Sequence, residues 1–333
     1  MTYKERMKKS ISHIQTDIVP CQIDFTTPAY EKMQKYYKDS QFVRKLGNHI
    51  AGISTGMDYK EIKPGFCRDE WGVMWDRTID KDIGNACNVV IENKDSLDSY
   101  KFPDPHNPQR FKQWDEIIEE NKDLFIRANI DLSFFERAWT LRGMENLLVD
   151  MISDEEFVDA LLERILEYNI SIIEEISRFS VDGVHFGDDW GQQQGLIMGP
   201  KLWRRFIKPR LEKMYAKVHE AGLSVFIHSC GDVDELFPEL IEIGVDVFNP
   251  FQPEVMDIYE MKKKYGGKLC FFGGLSIQKI LPYGTPDDVR KEVKRLIKEL
   301  GSGGGYIFAP AHAVPGDVSE ENIAAMIEAV KDQ

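Results

Sequence analysis

Leu223-Ser224-Val225-Phe226-Ile227-His228 is short, apolar and rich in β-formers, and a helical stretch from Asp234 to Ile243 separates it from Val245-Asp246-Val247-Phe248-Asn249. The alternation continues in both directions. Downstream, a helical pattern near Asp257 to Tyr265 leads to Lys268-Leu269-Cys270-Phe271-Phe272-Gly273. A helix from Pro286 to Leu300, the strand Gly305-Tyr306-Ile307-Phe308-Ala309 and a closing helix from Ser319 to Val330 follow. Upstream, Asp182-Gly183-Val184-His185-Phe186-Gly187 precedes a helical stretch from about Pro200 to Ala221. Near-continuous apolar strands are what a parallel sheet buried on both faces requires. Their spacing of roughly 20 to 40 residues marks repeated βα units. Thr285-Pro286-Asp287-Asp288 and Ser319-Glu320-Glu321-Asn322 supply helix starts, with an N-cap, Pro at the first helical position and acidic first turns.

The N-terminal half is less regular. Ile18 to Asp24 reads as a first strand, Tyr30 to Leu46 as a helix, Leu124 to Asn129 as a strand and Asp154 to Phe179 as a long helix. Between Gly52 and Pro108, Pro64, Gly65, Gly72, Pro103 and Pro105 break the pattern, which predicts a rim insertion holding one weak strand near Gly72–Trp75 or Val89–Ile91. The count reaches about eight strands, so residues 1–333 read as a single (β/α)8 barrel domain with an irregular N-terminal rim insertion. A doubly wound sheet is the alternative, and no Gly-rich fingerprint follows the first strand to support it.

The 56 acidic residues outnumber 42 basic ones, for a formal charge of -14, which disfavours a nucleic-acid or anionic-membrane binder. No apolar run approaches the roughly 20 residues of a membrane span, and no apolar segment follows the basic N-terminus to make a secretory signal. Five scattered cysteines fit a reducing cytoplasm. The expected protein is soluble, acidic and cytoplasmic. A homodimer is compatible with this reading.

In such barrels the active site forms at the C-terminal ends of the strands. His228-Ser229-Cys230-Gly231-Asp232 closes one of them. Strand alternation points His228 and Cys230 to one side, about 6.6 Å apart at ~3.3 Å per residue, and residues at i and i+2 can chelate one metal. The alternative is a buried histidine beside an inert thiol. The final strand leads into Ala309-Pro310-Ala311-His312, where His312 can be a third ligand, a catalytic imidazole or a loop histidine satisfied by backbone. Of Asp188 and Asp189 only one can face inward. An inward Asp188 can bind metal, orient His228 or act as general acid; a solvated turn is the alternative. Glu136 and Arg137 follow the Leu124–Asn129 strand, where they line the site or form a rim salt bridge. Asn249 and Gln252, and Gly273 with Gly274, close two later strands; the glycines permit close backbone approach, or a tight turn. Trp71, Trp75 and Trp190 can wall a pocket or be core. Gly301 to Gly305 precedes a strand instead of opening a helix, so it reads as an αβ connection.

Taken together, Asp69-Glu70-Trp71-Gly72-Val73 with Trp75, Phe102-Pro103-Asp104-Pro105, Leu141-Arg142-Gly143-Met144-Glu145, Phe186-Gly187-Asp188-Asp189, His228-Ser229-Cys230-Gly231-Asp232 and the His312 loop make a pattern. Over nearly its whole length the chain resembles the uroporphyrinogen decarboxylase-like superfamily, particularly its corrinoid-dependent methyltransferase branch. The resemblance implies a (β/α)8 barrel. It also implies a Zn2+ held by a His-x-Cys pair and a later Cys, activating a methyl donor or acceptor against the cobalt of a methylcorrinoid. His228 and Cys230 match the first two ligands. His312 stands where the methyltransferases carry Cys in a Pro-Gly-Cys-Gly loop. Imidazole can replace thiolate on zinc, yet the decarboxylases carry a metal-free His in the equivalent loop, which leaves Asp188 or Glu136 as other third ligands.

The decarboxylase branch is the weaker match. Its Arg-rich N-terminal motif, which grips the substrate's carboxylates, corresponds here to Asp24-Phe25-Thr26-Thr27-Pro28-Ala29-Tyr30, without arginine. The expectation is a zinc-dependent methyltransferase that moves a methyl group between a small methylated compound and the corrinoid (cobalamin) of a separate protein, since no Asp-x-His-x-x-Gly corrinoid motif is present. O-demethylation of a methoxylated aromatic is favoured by the Trp and Phe residues, with Asp188 or Glu136 as proton donor and Arg137, Trp190, Asn249, Gln252 and Gly273 contacting substrate. A metal-free lyase using His312 and a non-catalytic binding barrel are the alternatives.

Overall fold

The computed structural model describes residues 1–56 and 59–333. Its strands are β1 (Ile50–Ser54), β2 (Lys60–Lys63), β3 (Phe66–Arg68), β4 (Met74–Asp76), β5 (Asn85–Ala86), β6 (Phe125–Ile130), β7 (Gly183–Gly187), β8 (Ser224–His228), β9 (Val247–Phe251), β10 (Cys270–Leu275) and β11 (Tyr306–Pro310). Seven of them form one parallel sheet in the order β1-β6-β7-β8-β9-β10-β11. The sheet curls until its edges are joined by the extended segment around Cys21. Gln22 N donates to Phe308 O at 2.9 Å, Phe308 N to Pro20 O at 2.8 Å, and His49 N to Cys21 O at 3.0 Å. The architecture is an α/β barrel with helices outside.

Strand alternation sorts the core into two sets. Outward residues such as Ile126, Val184, Val225, Ile227, Phe248 and Phe271 pack under the helices. Inward residues from the lower strand levels, among them Ile50, Phe125, Phe226, Val247, Cys270, Phe272 and Ile307, form a separate apolar layer with Met7. Met7 belongs to the helix Tyr3–Ile11, which carries a Thr2–Glu5 capping box and closes the barrel's N-terminal end. Above that layer the inward positions turn polar, with Arg127, Asn129, His185, His228 and Asn249 at the C-terminal ends. The lower barrel is therefore apolar and the mouth polar.

Most of the expected elements stand. The helices Glu155–Ile176, Pro286–Leu300 and Glu320–Lys331 carry the side-chain caps Asp154, Thr285 and Ser319. The stretch after Pro200 is interrupted by a π turn at Trp203–Ile207, next to Pro209, whose missing N–H breaks the regular ladder. The helix expected over Tyr30–Leu46 instead covers Thr27–Tyr37 and stops at Lys38, which adopts φ 51. Two strand expectations need correction. Ile18–Asp24 gives one bridging pair, not a full strand. The missing barrel strand is β1, not a segment of the insertion: Gly72–Trp75 overlaps β4 of an antiparallel rim sheet ordered β2-β3-β4-β5, and Val89–Ile91 is not a strand. β1 carries a weak strand signal because Gly52 and Ser54 interrupt its apolar run and only Ile50 and Ile53 in it are buried. Among the described residues, no helix is long and apolar enough to cross a membrane.

Candidate metal centre at the barrel mouth

β8 delivers His228 as its last residue, and the chain then turns through Ser229, Cys230 and Gly231. Every part of this turn is fastened. Ser229 N donates to Asn249 O at 2.8 Å, Asp188 N donates to His228 O at 2.9 Å, and Trp190 N donates to Ser229 Oγ at 2.9 Å. Gly231 has φ 90, and its N donates to Gln252 Oε1 at 2.7 Å. A Cβ there would collide with the backbone of Gly191 and Gln192, so only glycine lets these two loops touch.

The turn brings three ligand types together. One donor atom from each of His228, Cys230 and His312 lies within 4.8 Å of the others. His228 Nε2 is 3.3 Å from Cys230 Sγ, and the His228 and His312 ring centroids are 5.5 Å apart. His228 Nδ1 is 2.6 Å from Asn249 Oδ1, while Asn249 Nδ2 donates to Phe272 O at 3.1 Å. The amide orientation that satisfies both contacts makes Asn249 the acceptor, so Nδ1 carries the imidazole proton and Nε2 offers its lone pair to the thiol side. Burial holds the Cys230 thiol above its usual range, and the Asp189 and Glu136 carboxylates add to the shift. The three side chains offer two ring nitrogens and one sulfur, donor types that suit a divalent cation, with the Asp189 carboxylate beside them.

The acidic pair divides differently from expectation. Asp188 has 0% exposure, and its Oδ1 accepts from Phe134 N at 3.2 Å and Glu136 N at 2.8 Å while Oδ2 accepts from Trp190 Nε1 at 2.5 Å. It sits at the N-terminal end of the helix Phe135–Arg142, sealed from the mouth, so it positions structure and is not placed to protonate a substrate. Burial pushes its carboxyl up to about 6. The carboxylate at the ligands is Asp189, whose Oδ1 accepts from Cys230 N at 2.8 Å and lies 3.8 Å from His228 Nε2. Glu136 is half-buried. Desolvation first, and then the Asp189 and Asp188 charges, hold its carboxyl well above the usual range.

Other expected contacts lie elsewhere. Arg137 is buried in a neighbouring cavity of about 320 Å³ under the rim, 4.4 Å over the Trp71 ring and 3.4 Å from Asp69. Trp190 is fully buried against Trp203 and Trp75 is almost so, which removes two of the three tryptophans expected at a pocket wall. Gln252 is buried holding Gly231, and Gly273 packs its bare Cα against the Phe251 backbone, so neither is set to meet substrate. Asn249 lines the mouth cavity, but its amide is engaged by His228 and Phe272.

The mouth cavity, about 180 Å³, is lined by Gln22, Asp24, Arg127, His185, His228 and His312, among others. Sequence reasoning passed over Arg127 and His185. The signal was present: each is a charged or titratable residue inside an otherwise apolar strand, on the face that alternation turns inward.

A parallel α/β barrel with two histidines and a cysteine gathered at its strand ends has the form of a protein that works from its C-terminal face. The sequence model of uroporphyrinogen decarboxylase (URO-D) matches residues 135–333, and the chain belongs to that family. It is 23% identical over 267 residues to the uroporphyrinogen decarboxylase of Chlorobium phaeobacteroides, covering 75% of this chain and 72% of that one. Its match to the uroporphyrinogen decarboxylase of Thermus thermophilus is 24% over 183 residues, 55% of this chain and half of the relative's length. In three dimensions it is similar to a methyltransferase from Methanosarcina mazei, with a TM-score of 0.74, 17% identity, and coverage of 100% of this chain and 99% of that chain. That likeness establishes the shared barrel.

Proposed function

We propose that this protein is a zinc-dependent methyltransferase that moves a methyl group between a small methylated substrate and the corrinoid of a separate protein. The observation that carries the reading is the convergence of His228, Cys230 and His312 within 4.8 Å at the barrel mouth. This donor set suits Zn2+, which when bound supplies a Lewis acid for the heteroatom that gains or loses the methyl group.

The chain's own residues do the rest. Asn249 fixes the His228 tautomer, leaving Nε2 unprotonated toward the site. Asp189 anchors the backbone of Cys230. Glu136, whose desolvated carboxyl keeps its proton to higher pH than an ordinary glutamate, is the group suited to hand a proton to a departing heteroatom. Tetrapyrrole decarboxylation fits less well. The Asp24–Tyr30 stretch brings no arginine, and the mouth cavity of about 180 Å³ contains one guanidinium, that of Arg127.

The test is metal analysis of the purified protein followed by methyl transfer to or from free cobalamin, read by its absorbance. Stoichiometric zinc that disappears in His228→Ala and Cys230→Ala, together with methyl transfer in the wild type, is the expected result. Full zinc occupancy in both variants, or a metal-free protein that decarboxylates, overturns the reading.

A further inference from the structure

Below the three ligands the cavity holds a cation without a counter-ion. Arg127 stands in the middle of β6, and its Nε donates to Asn129 Oδ1 at 3.0 Å. Among the described residues its terminal nitrogens make no other hydrogen bond and no carboxylate lies at ion-pair distance. Asp24 and Asp131 act on it only through space, and the Asp24 carboxylate already accepts from Gln22 Nε2 at 2.8 Å. Gly183, its register partner on β7, presents no side chain to meet it. Arg127 is half-buried, and a guanidinium partly withdrawn from water costs free energy until an anion pairs with it.

A second group points the same way. His185, inward on β7, is 8% exposed, and its Nδ1 is buried with no hydrogen-bond partner. Its ring centroid is 6.1 Å from that of His228, so His185, His228 and His312 rise as a ladder from the cavity floor to the rim. Arg127 and His185 both line the cavity of about 180 Å³, below the ~300–1,000 Å³ of a drug-sized pocket.

We infer that this floor is an anion seat, and that the methylated substrate is a small carboxylate whose charged end pairs with Arg127 and hydrogen-bonds His185, with its methyl-bearing heteroatom toward His228 and Cys230. The word substrate rests on the methyl-transfer reading; the anion seat does not. A guanidinium pairs with a carboxylate through two parallel N–H donors, and the terminal nitrogens of Arg127 are the donors still free to do so. The carboxylate thereby replaces the aromatic ring as the recognised feature, since Phe272 is the one aromatic carbocycle among the cavity's lining residues.

The experiment measures calorimetric binding of methoxyacetate and of its neutral counterpart 2-methoxyethanol to metal-stripped protein, with the zinc-loaded form alongside. Methoxyacetate is expected to bind more tightly. Its affinity should fall roughly ten- to a hundredfold in Arg127→Gln and partly recover in Arg127→Lys, with zinc content unchanged in both. Equal binding of the two compounds, undetectable binding of methoxyacetate, or full affinity in Arg127→Gln overturns the seat. Binding lost in Cys230→Ser but kept in Arg127→Gln puts the carboxylate at the metal ligands and also overturns it. If methoxyacetate binds through Arg127 while the protein neither holds zinc nor moves methyl groups, the methyl-transfer reading fails and the seat stands.

Discussion

His228 and Asn249 are joined ring nitrogen to amide oxygen at 2.6 Å across adjacent strands, with the amide's other end tied to Phe272 O. This pair decides which nitrogen of His228 faces the site. Replacing such an orienting partner lowers metal affinity about 10- to 100-fold. Asn249→Ala is therefore expected to weaken zinc binding by that factor in a chelator competition. Asn249→Asp, which keeps an acceptor toward Nδ1, should stay within a few-fold of the wild type.

His312 is the exposed member of the His228–Cys230–His312 cluster, so its substitution should change metal binding more than folding. His312→Cys is expected to retain one zinc per chain, and His312→Ala to bind it at least tenfold more weakly. Thermal midpoints should stay within a few degrees in both, as expected of surface changes. Stoichiometric, tight zinc in His312→Ala would place the third ligand elsewhere, with Asp189 the nearest alternative.

Much of this was legible from the residues alone. β8, β9, β10 and β11 declare themselves because both of their faces are buried, and the His-Ser-Cys-Gly turn follows from strand alternation. β1 does not declare itself, because a strand with Gly52 and Ser54 on one face lacks the apolar continuity that marks its neighbours. The choice between Asp188 and Asp189 was equally hidden. It depends on the three donors that claim Asp188, two from the backbone of residues 134–136 more than fifty positions away and one from Trp190. Tryptophans fared similarly: a residue type tells of apolar area, while only packing tells whether that area lines a pocket or fills a core.

Gly231 combines φ 90 with contact against the Gly191 backbone. Gly231→Ala adds a methyl group where the chain is left-handed and has no room to give. A loss of about 2 kcal/mol or more is expected, from conformation and clash together. Because the clash pushes on the residue after Cys230, zinc affinity should fall as well. Denaturant unfolding and metal titration on the same preparation check both.

Asp188→Ala should leave the Phe134 and Glu136 N–H groups and the Trp190 indole without their acceptor. Each orphaned donor costs about 1–3 kcal/mol, so the variant is expected to be among the least stable at this mouth. Asp188→Asn, which keeps one acceptor oxygen, should recover part of the loss. Zinc stoichiometry at a temperature where both variants stay folded should match the wild type, which separates this positioning residue from the ligands.

His49 gives the barrel a pH dependence independent of any metal. It precedes β1, is 1% exposed, and accepts from Cys21 N through Nδ1 at 3.3 Å, while Nε2 is buried without a partner. Burial, reinforced by the Arg6 charge, lowers its pKa to about 4. In the unfolded chain an ordinary histidine takes up its proton below about 6.5, so between pH 6.5 and 4 the unfolded state binds more protons than the folded one. Stability must then fall as pH drops through that window, by about 3 kcal/mol from this residue. His49→Asn keeps an acceptor for Cys21 N and removes the titration. Its unfolding free energy, followed by urea denaturation from pH 7 to pH 4, should decline less steeply than that of the wild type. The remaining slope includes that of His185, whose burial also lowers its pKa. Parallel curves for the two proteins would mean that His49 is protonated in the folded state, and that the seam between the Cys21 segment and β1 tolerates a charge.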